Sequence, residues 1–384
     1  MTEDQSVADR CPGVLRLHEA ADGWMARVRL PGGRLSPEAL EIIGDVAALG
    51  SGLVELTSRA SVQIRGLAIG SGDAVATRLE TAGLMPSVRH DRVRNILASP
   101  VAGRHPDSLA GADEVVAELD RGLCADLGLA ELPGRFMFAV VDGSGTLGPH
   151  RADVSLEAAQ LGGGVVFRLH LSGVPTTLTA TMANAAGLAL EAARGFLELA
   201  SADGVHVWGL SGLREGPQRL ASRLGGDLAP DHAPSIGAPL QVGTLTQSNG
   251  RATVTVMPPL GRLDGLTLRK LAQCSRRRRS EVRISPRRTV SLIDLELPAA
   301  PTVTSELSSL DLVTSSRSGW NGLSACAGKG ACAKALVDVR RAAEQRAGVR
   351  DGGSPAEHWS GCERRCGEPP GAGIRFVAGP RAPA

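Results

Sequence analysis

The chain has 384 residues, 42% of them hydrophobic, and its 42 basic and 40 acidic residues nearly cancel to a net charge of +2. That length allows two or three domains with a substantial core, and the charge balance excludes a polycation that coats nucleic acid over its whole surface. The first ten residues lack an apolar signal core, and the apolar stretch from Leu178 to Ala200 is interrupted by Asn184, Glu191 and Arg194. Neither secretion nor a membrane span is indicated, so a soluble cytoplasmic protein is expected.

In chain order, an alternating strand is predicted over Trp24 to Leu30, a turn at Pro31-Gly32-Gly33, an apolar helix over Pro37 to Ala48, and strands over Leu53 to Leu56 and Ser61 to Leu67. A longer segment runs from Asp91 to about Pro230. It contains an alternating strand, Val165 to Leu171, with His170 on the face opposite Leu169 and Leu171. From Arg251 the opening pattern returns: a strand to Val256, a turn at Pro258-Pro259-Leu260-Gly261, a helix over Leu266 to Cys274, and strands over Val282 to Ile284 and Val290 to Leu295. Sliding the chain by 228 residues lays Arg34-Leu35 on Arg262-Leu263, and Val54, Leu56, Arg59 and Val62 on Val282, Ile284, Arg287 and Val290. So many coincidences at one offset indicate duplication. One β-α-β half is too small to bury its own sheet face, so the two halves are expected to pair as a pseudo-two-fold α+β sandwich. The expected divisions are residues 1–75, 76–232, 233–298 and 299–384, a half followed by a longer α/β segment in each case.

The last segment holds Cys326 and Cys332 with five residues between them, then, after a spacer of 29 residues, Cys362 and Cys366 with three between them. Four soft thiolates are the ligand set of one [4Fe-4S] cluster. The flanking residues are small and turn-prone, and glycines there let backbone N–H groups approach an anionic cluster. Zinc is the rival for four thiolates, but its structural sites usually pair cysteines with two to four residues between them, and unligated thiols are the remaining alternative. Seven cysteines is an odd number, and a reducing compartment would keep thiols free for metal. Cys11, Cys124 and Cys274 are read as ordinary core or near-surface residues.

Of the basic residues only Lys270, Lys329 and Lys334 are lysines. The bias fits an arginine-favouring genome, and also a pocket that grips carboxylates with planar, permanently charged guanidinium groups. The run Arg276 to Arg279 is expected in the helix-to-strand loop of the second half, solvated or docking an acidic electron donor. Nucleic acid is not expected there, because no stacking aromatics adjoin it. Four histidines, His150, His170, His206 and His358, are candidates for a further metal, yet no facial triad stands out and no iron ligands are assigned. No Gly-x-Gly-x-x-Gly follows a strand, so any nicotinamide acts through a separate protein.

Leu56-Thr57-Ser58-Arg59-Ala60-Ser61-Val62-Gln63 resembles the threonine-x-arginine-x-x-x-glutamine strand of the nitrite and sulfite reductase family. Arg94-Asn95 resembles its arginine-asparagine motif, Leu132-Pro133-Gly134-Arg135-Phe136 its proline-arginine-lysine-phenylalanine motif, and the cysteine pairs its cluster ligands. The resemblance covers nearly the whole chain in the same order. It implies duplicated ferredoxin-like halves, a [4Fe-4S] cluster held by Cys326, Cys332, Cys362 and Cys366, a sirohaem near Cys366, and basic residues, here Arg59, Arg94 and Arg135, around a small anion. One departure is Met137, where the reductases place a second lysine; a thioether neither binds nor protonates a small oxyanion.

The opening Cys11-Pro12-Gly13-Val14-Leu15-Arg16 and Leu30-Pro31-Gly32-Gly33-Arg34-Leu35 resemble the precorrin-3B synthase branch of that family. This resemblance implies a monooxygenase of aerobic cobalamin biosynthesis: dioxygen oxidises precorrin-3A by hydroxylation with γ-lactone formation. It also implies the cluster, a non-haem iron, and a separate electron donor, either a ferredoxin or an NADH-dependent reductase. In that reading the substrate tetrapyrrole takes the place of sirohaem, and Arg59, Arg65, Arg94 and Arg135 clamp its carboxylates, with Arg287 and Arg288 as pseudo-symmetric seconds. A sirohaem-dependent nitrite or sulfite reductase and a non-catalytic electron-transfer or tetrapyrrole-carrying subunit are the alternatives.

Overall fold

In the first repeat, Ser36 starts a helix because its hydroxyl accepts the Ala39 N–H at 3.1 Å and Pro37 follows at the first helical position. The structure, a computed structural model, describes residues 11–230, 237–369 and 373–378. The first repeat comprises β1 (His18–Ala20), β2 (Gly23–Val28), β3 (Arg34–Leu35), α1 (Pro37–Ala47), β4 (Leu53–Leu56), β5 (Val62–Leu67) and α2 (Gly72–Thr81). There follow β6 (Ile96–Ala98), α3 (Asp113–Ala125), β7 (Phe138–Val141), β8 (Val154–Leu161), β9 (Gly164–Leu171), β10 (Val174–Ala180), α4 (Met182–Ala202) and α5 (Gly216–Arg223). The second repeat is β11 (Gly243–Thr246), β12 (Ala252–Val256), β13 (Arg262–Asp264), α6 (Gly265–Arg278), β14 (Glu281–Ile284), β15 (Val290–Leu295) and α7 (Ala300–Ser308). The chain closes with β16 (Leu323–Ala325), α8 (Val339–Ala347), β17 (Glu357–Ser360) and β18 (Ile374–Val377).

The chain forms two compact units, one chiefly Met85–Pro239 with Arg29–Gly33, the other Val14–Val28, Arg34–Leu84 and Leu240–Ala384. The second unit therefore contains both repeats. Its two five-stranded sheets run β1-β2-β5-β4-β13 and β11-β12-β15-β14-β3, so each takes its last strand from the other repeat. Leu263 pairs with Val54 in one sheet and Leu35 with Val282 in the other. These are the same pairing with the partners exchanged across the 228-residue offset. Asp264, the counterpart of Ser36, caps α6 by accepting the Thr267 N–H at 2.7 Å. Leu35, Leu40, Ile43, Leu56 and Val62 share one apolar core with Leu263, Leu268, Leu271, Ile284 and Val290, so that each of the five is matched in that core by its counterpart at the 228-residue offset. The pairing of two halves in an α+β fold is as the sequence led us to expect. The exchange of strands was not legible, because residues 34–35 and 262–264 are too short to register as strands by alternation.

Two local expectations change. The first strand ends at Val28, since Arg29 leaves the sheet, buried, and donates to the Pro12 carbonyl at 2.6 Å and to Asn95 Oδ1 at 3.3 Å. Arg276, Arg277 and Arg278 form the last turn of α6, where cations complement the helix dipole, and only Arg279 leaves it, at φ 50°. Arg276 bonds Glu38 and Glu41, while Arg277 and Arg278 meet Glu306, so most of the run is engaged within the chain.

In the other unit the sheet order is β10-β9-β8-β7-β6, with β6, β7 and β8 parallel and the rest antiparallel. α3 and α4 pack over an aliphatic and phenylalanine core that includes Phe136, Phe138, Phe167 and Phe196. Among the described residues no helix is long and apolar enough to cross a membrane.

Candidate metal centre and arginine sites

Parallel pairing of β16 with β17 places their carboxyl ends at one edge of the sheet, and Cys326 and Cys362 leave from that edge. The edge is locked by the Cys326 N–H donating to the Trp359 carbonyl at 3.0 Å. The Gly361 N–H donates to Cys326 Sγ at 3.2 Å, the kind of N–H to sulfur bond that stabilises a thiolate. Gly361 is required for this approach: a Cβ there would come within 2.8 Å of the Ala335 Cβ. The Leu336 N–H donates to the Gly361 carbonyl at 2.8 Å, joining the loop of Cys332 to that of Cys362.

Burial pushes the Cys366 thiol up, and Cys362, Cys326 and Cys332 add to the shift in that order, so all four sulfurs lie within electrostatic reach. Among the described residues no three or more His, Cys, Asp or Glu side chains close to the spacing of a single ion. A cubane binds each thiolate through a different iron, so it asks for thiolates gathered but held apart. The donor set and its N–H bond fit such a cluster. Loading it displaces thiol protons, which couples assembly to pH.

The sheet behind the cysteines is fixed by one buried carboxylate. Glu357, 0% exposed, accepts from Arg346 Nη2 at 2.9 Å and from Trp359 Nε1 at 3.2 Å, with Arg350 Nε at 3.4 Å. The Arg346 hydrogen bond holds the Glu357 carboxyl below the usual range, against its burial. Arg350 donates in addition to the carbonyls of Asn321 and Pro355, at 2.6 and 2.9 Å. Next along β17, buried His358 hydrogen-bonds Ser324 Oγ through Nδ1 at 2.9 Å. Burial, then the nearby Arg288 charge, pushes His358 down to about 4, which leaves it neutral at physiological pH.

In the same unit, Arg59 lies half-buried in the β4–β5 turn, its N–H held by Thr57 Oγ1 at 3.2 Å. Arg65 is buried and grips Asp22 with two bonds of 2.9 Å; it also donates to the Ala331 carbonyl beside Cys332. Burial opposes its charge, but the Asp22 bonds, Glu55 and the Cys332 thiolate outweigh that and raise its pKa. Arg287 is exposed, and Arg288 donates to the Gly367 carbonyl at 2.7 Å.

In the other unit, Arg94 and Arg135 precede the neighbouring parallel strands β6 and β7, whose register Ile96 to Phe138 puts both at one edge. Asn95 ties the two motifs together by donating to the carbonyls of Gly134 and Phe136, at 3.2 and 3.1 Å. Arg94 is buried and makes two bonds of 2.7 Å to Asp120. Arg135 is exposed and lies over the Trp208 ring, 4.9 Å from its centroid. Met137 is 7% exposed, with its N–H donating to Asp153 Oδ2 at 2.9 Å. His150 contacts Gly148 and Ser155, His170 meets Glu157 at 3.3 Å, and His206 packs edge-on to Trp208. Sequence reasoning missed Asp22, Asp120 and Trp208. The two carboxylates carry no motif, whereas Trp208, one of four tryptophans, was the available signal.

The family model of the nitrite/sulfite reductase ferredoxin-like half domain matches residues 18–82 and again 245–310. An assimilatory ferredoxin-dependent nitrite reductase of Haloferax mediterranei is 26% identical, over 90% of this chain and 69% of its own length. A precorrin-3B synthase of Sinorhizobium sp is 24% identical, over 96% of this chain and 80% of its own length. The solved structure of the Mycobacterium tuberculosis NirA protein superposes with a TM-score of 0.72 at 20% identity, covering 90% of this chain and 69% of that one, and shares the fold.

Proposed function

From the match of both repeats to the nitrite/sulfite reductase ferredoxin-like half domain and the similarity to a precorrin-3B synthase, we propose that the chain is an oxidoreductase that oxidises a reduced tetrapyrrole with dioxygen, converting precorrin-3A to precorrin-3B in aerobic cobalamin biosynthesis. Met137 carries this reading. At the position of the reductases' second lysine it supplies a buried, uncharged thioether, so the cation that would meet a small oxyanion is absent. The similarity to a precorrin-3B synthase over 96% of the chain supports the same conclusion.

Precorrin-3A carries many carboxylates, which arginine forks recognise well. The arginines at the motif positions, Arg59, Arg65, Arg94 and Arg135, are proposed to form the substrate site, Arg59 and Arg135 receiving the carboxylates directly, with Arg287 and Arg288 as seconds. Of these, Arg65 and Arg94 already hold carboxylates of the chain itself and act by keeping their loops in place. Cys326, Cys332, Cys362 and Cys366 would hold a [4Fe-4S] cluster, which supplies electron transfer when bound. One oxygen atom enters the substrate as a hydroxyl, and the ring A acetate closes to the γ-lactone. The other oxygen leaves as water, with two electrons and two protons from a separate donor, a ferredoxin or an NADH-dependent reductase. A non-haem iron belongs to the same proposal without assigned ligands.

A sirohaem-dependent nitrite or sulfite reductase is the second reading, since the Haloferax nitrite reductase is as similar in sequence. An anaerobic visible spectrum with iron and sulfide analysis, taken before and after adding precorrin-3A, separates the two. A cluster band without sirohaem absorption and an oxygen-dependent change in the substrate support the synthase; bound sirohaem and no response to precorrin-3A transfer the assignment to the reductase. Arg59→Ala is expected to weaken precorrin-3A binding while leaving iron and sulfide content intact, and unchanged affinity would remove Arg59 from the site.

A further inference from the structure

The duplication supplies an internal control for one residue. The turns at residues 57–61 and 285–289 are counterparts, and each is closed by a hydroxyl: Thr57 Oγ1 accepts the Arg59 N–H at 3.2 Å, and Ser285 Oγ the Arg287 N–H at 3.1 Å. Each needs a left-handed residue at its fourth position, filled by Ala60 at φ 48° and by Arg288 at φ 60°. L-residues other than Asn and Asp seldom adopt this conformation, and a small side chain is the simplest occupant. The first copy follows that logic with a fully buried alanine. The second places a long cationic side chain there.

Arg288 runs over Gly261, where a Cβ would come within 2.7 Å of the Arg288 Cδ, and its Nη2 reaches the Gly367 carbonyl at 2.7 Å. Gly367 follows Cys366 directly. The polar partner of this guanidinium is that carbonyl and not a carboxylate, and burial works against its charge. Among the described residues Glu55 is the one charge that offsets this, without an ion pair, so a half-buried cation here gains from an anion close by. Four thiolates around an iron–sulfur core carry a net negative charge, and Cys366, within electrostatic reach of the other three cysteines, lies at this turn.

We infer that Arg288 is a positioning residue for the cluster, clamping the Cys366-Gly367 turn and, as a fixed cation beside an anionic centre, raising its reduction potential. The inference rests on the cluster proposed above and not on the identity of the substrate. The test compares wild type, Arg288→Ala and Arg288→Lys by iron and sulfide content, rate of iron loss to a chelator, and midpoint potential in an EPR-monitored redox titration. Arg288→Ala installs the residue the first copy already uses. It is expected to assemble the cluster, lose iron several-fold faster, and show a more negative midpoint. Arg288→Lys is expected to recover most of the potential but not the resistance to chelation, because it restores the charge and not the bond to Gly367.

An Arg288→Ala protein with the wild-type midpoint and wild-type iron loss overturns the inference. So does an Arg288→Lys protein that matches wild type in iron loss, for the clamp, or that fails to recover the midpoint, for the charge. Wild type lacking iron and sulfide overturns the cluster itself, a result distinct from these.

Discussion

Arginines that share a motif role differ in what they touch, and replacing them should separate binding from stability. Arg94 is buried against Asp120, and removing one partner of a buried ion pair strands the other. Arg94→Ala is expected to lower unfolding stability by about 3–5 kcal/mol in a urea titration. Arg135 is exposed over Trp208, a contact of about 0.5–1 kcal/mol, so Arg135→Ala should leave the urea midpoint nearly unchanged and weaken precorrin-3A binding instead. Equal stability losses in the two variants would contradict this division. The motifs were legible because their spacing survives in the chain, whereas Asp22 and Asp120 reach their arginines from 43 and 26 residues away, with no local pattern to reveal them. For the cysteines, spacing suggested a candidate ligand set but not what supports it. The approach allowed by Gly361 and the Glu357 network behind it depend on strands β16 and β17 lying parallel, a pairing between segments 34 residues apart.

At the scale of elements, the duplicated helices and their flanking strands were readable because apolar residues recur at helical and strand periods in both copies. Their shared core makes a quantitative expectation. Leu35 and Leu263 are 2% and 3% exposed and occupy equivalent places in the exchanged strands. Each replaced by alanine should cost about 2–5 kcal/mol, the two values close to one another. Urea titrations of both variants check this, and a cost confined to one copy would mean that the symmetry of the backbone does not extend to its energetics. The run of arginines shows where local reading stops. Its basic character was evident, but a helix that continues to Arg278 turns it into a C-terminal cap paired with Glu38, Glu41 and Glu306.

For the whole molecule, several carboxylates are held below their usual range by hydrogen bonds, among them Glu357 through Arg346 and Asp264 through the Thr267 N–H. A lowered folded-state pKa contributes stability that is present above the unfolded value, near 4.5 for glutamate, and is lost as pH falls through the folded value. The urea midpoint should therefore hold steady from neutral pH to about that point and then drop, with Glu357→Gln lowering the neutral plateau and flattening the acid limb. A plateau unchanged by that substitution would show that the Glu357 network carries little of the stability. The exchanged strands have a further consequence. A repeat made alone would present an unfinished sheet whose missing strand exists only in another copy of the same repeat, so it should self-associate in pairs. The intact chain is in effect a fused dimer, and severing it between the repeats should yield two fragments that reassemble, each useless as a separate domain.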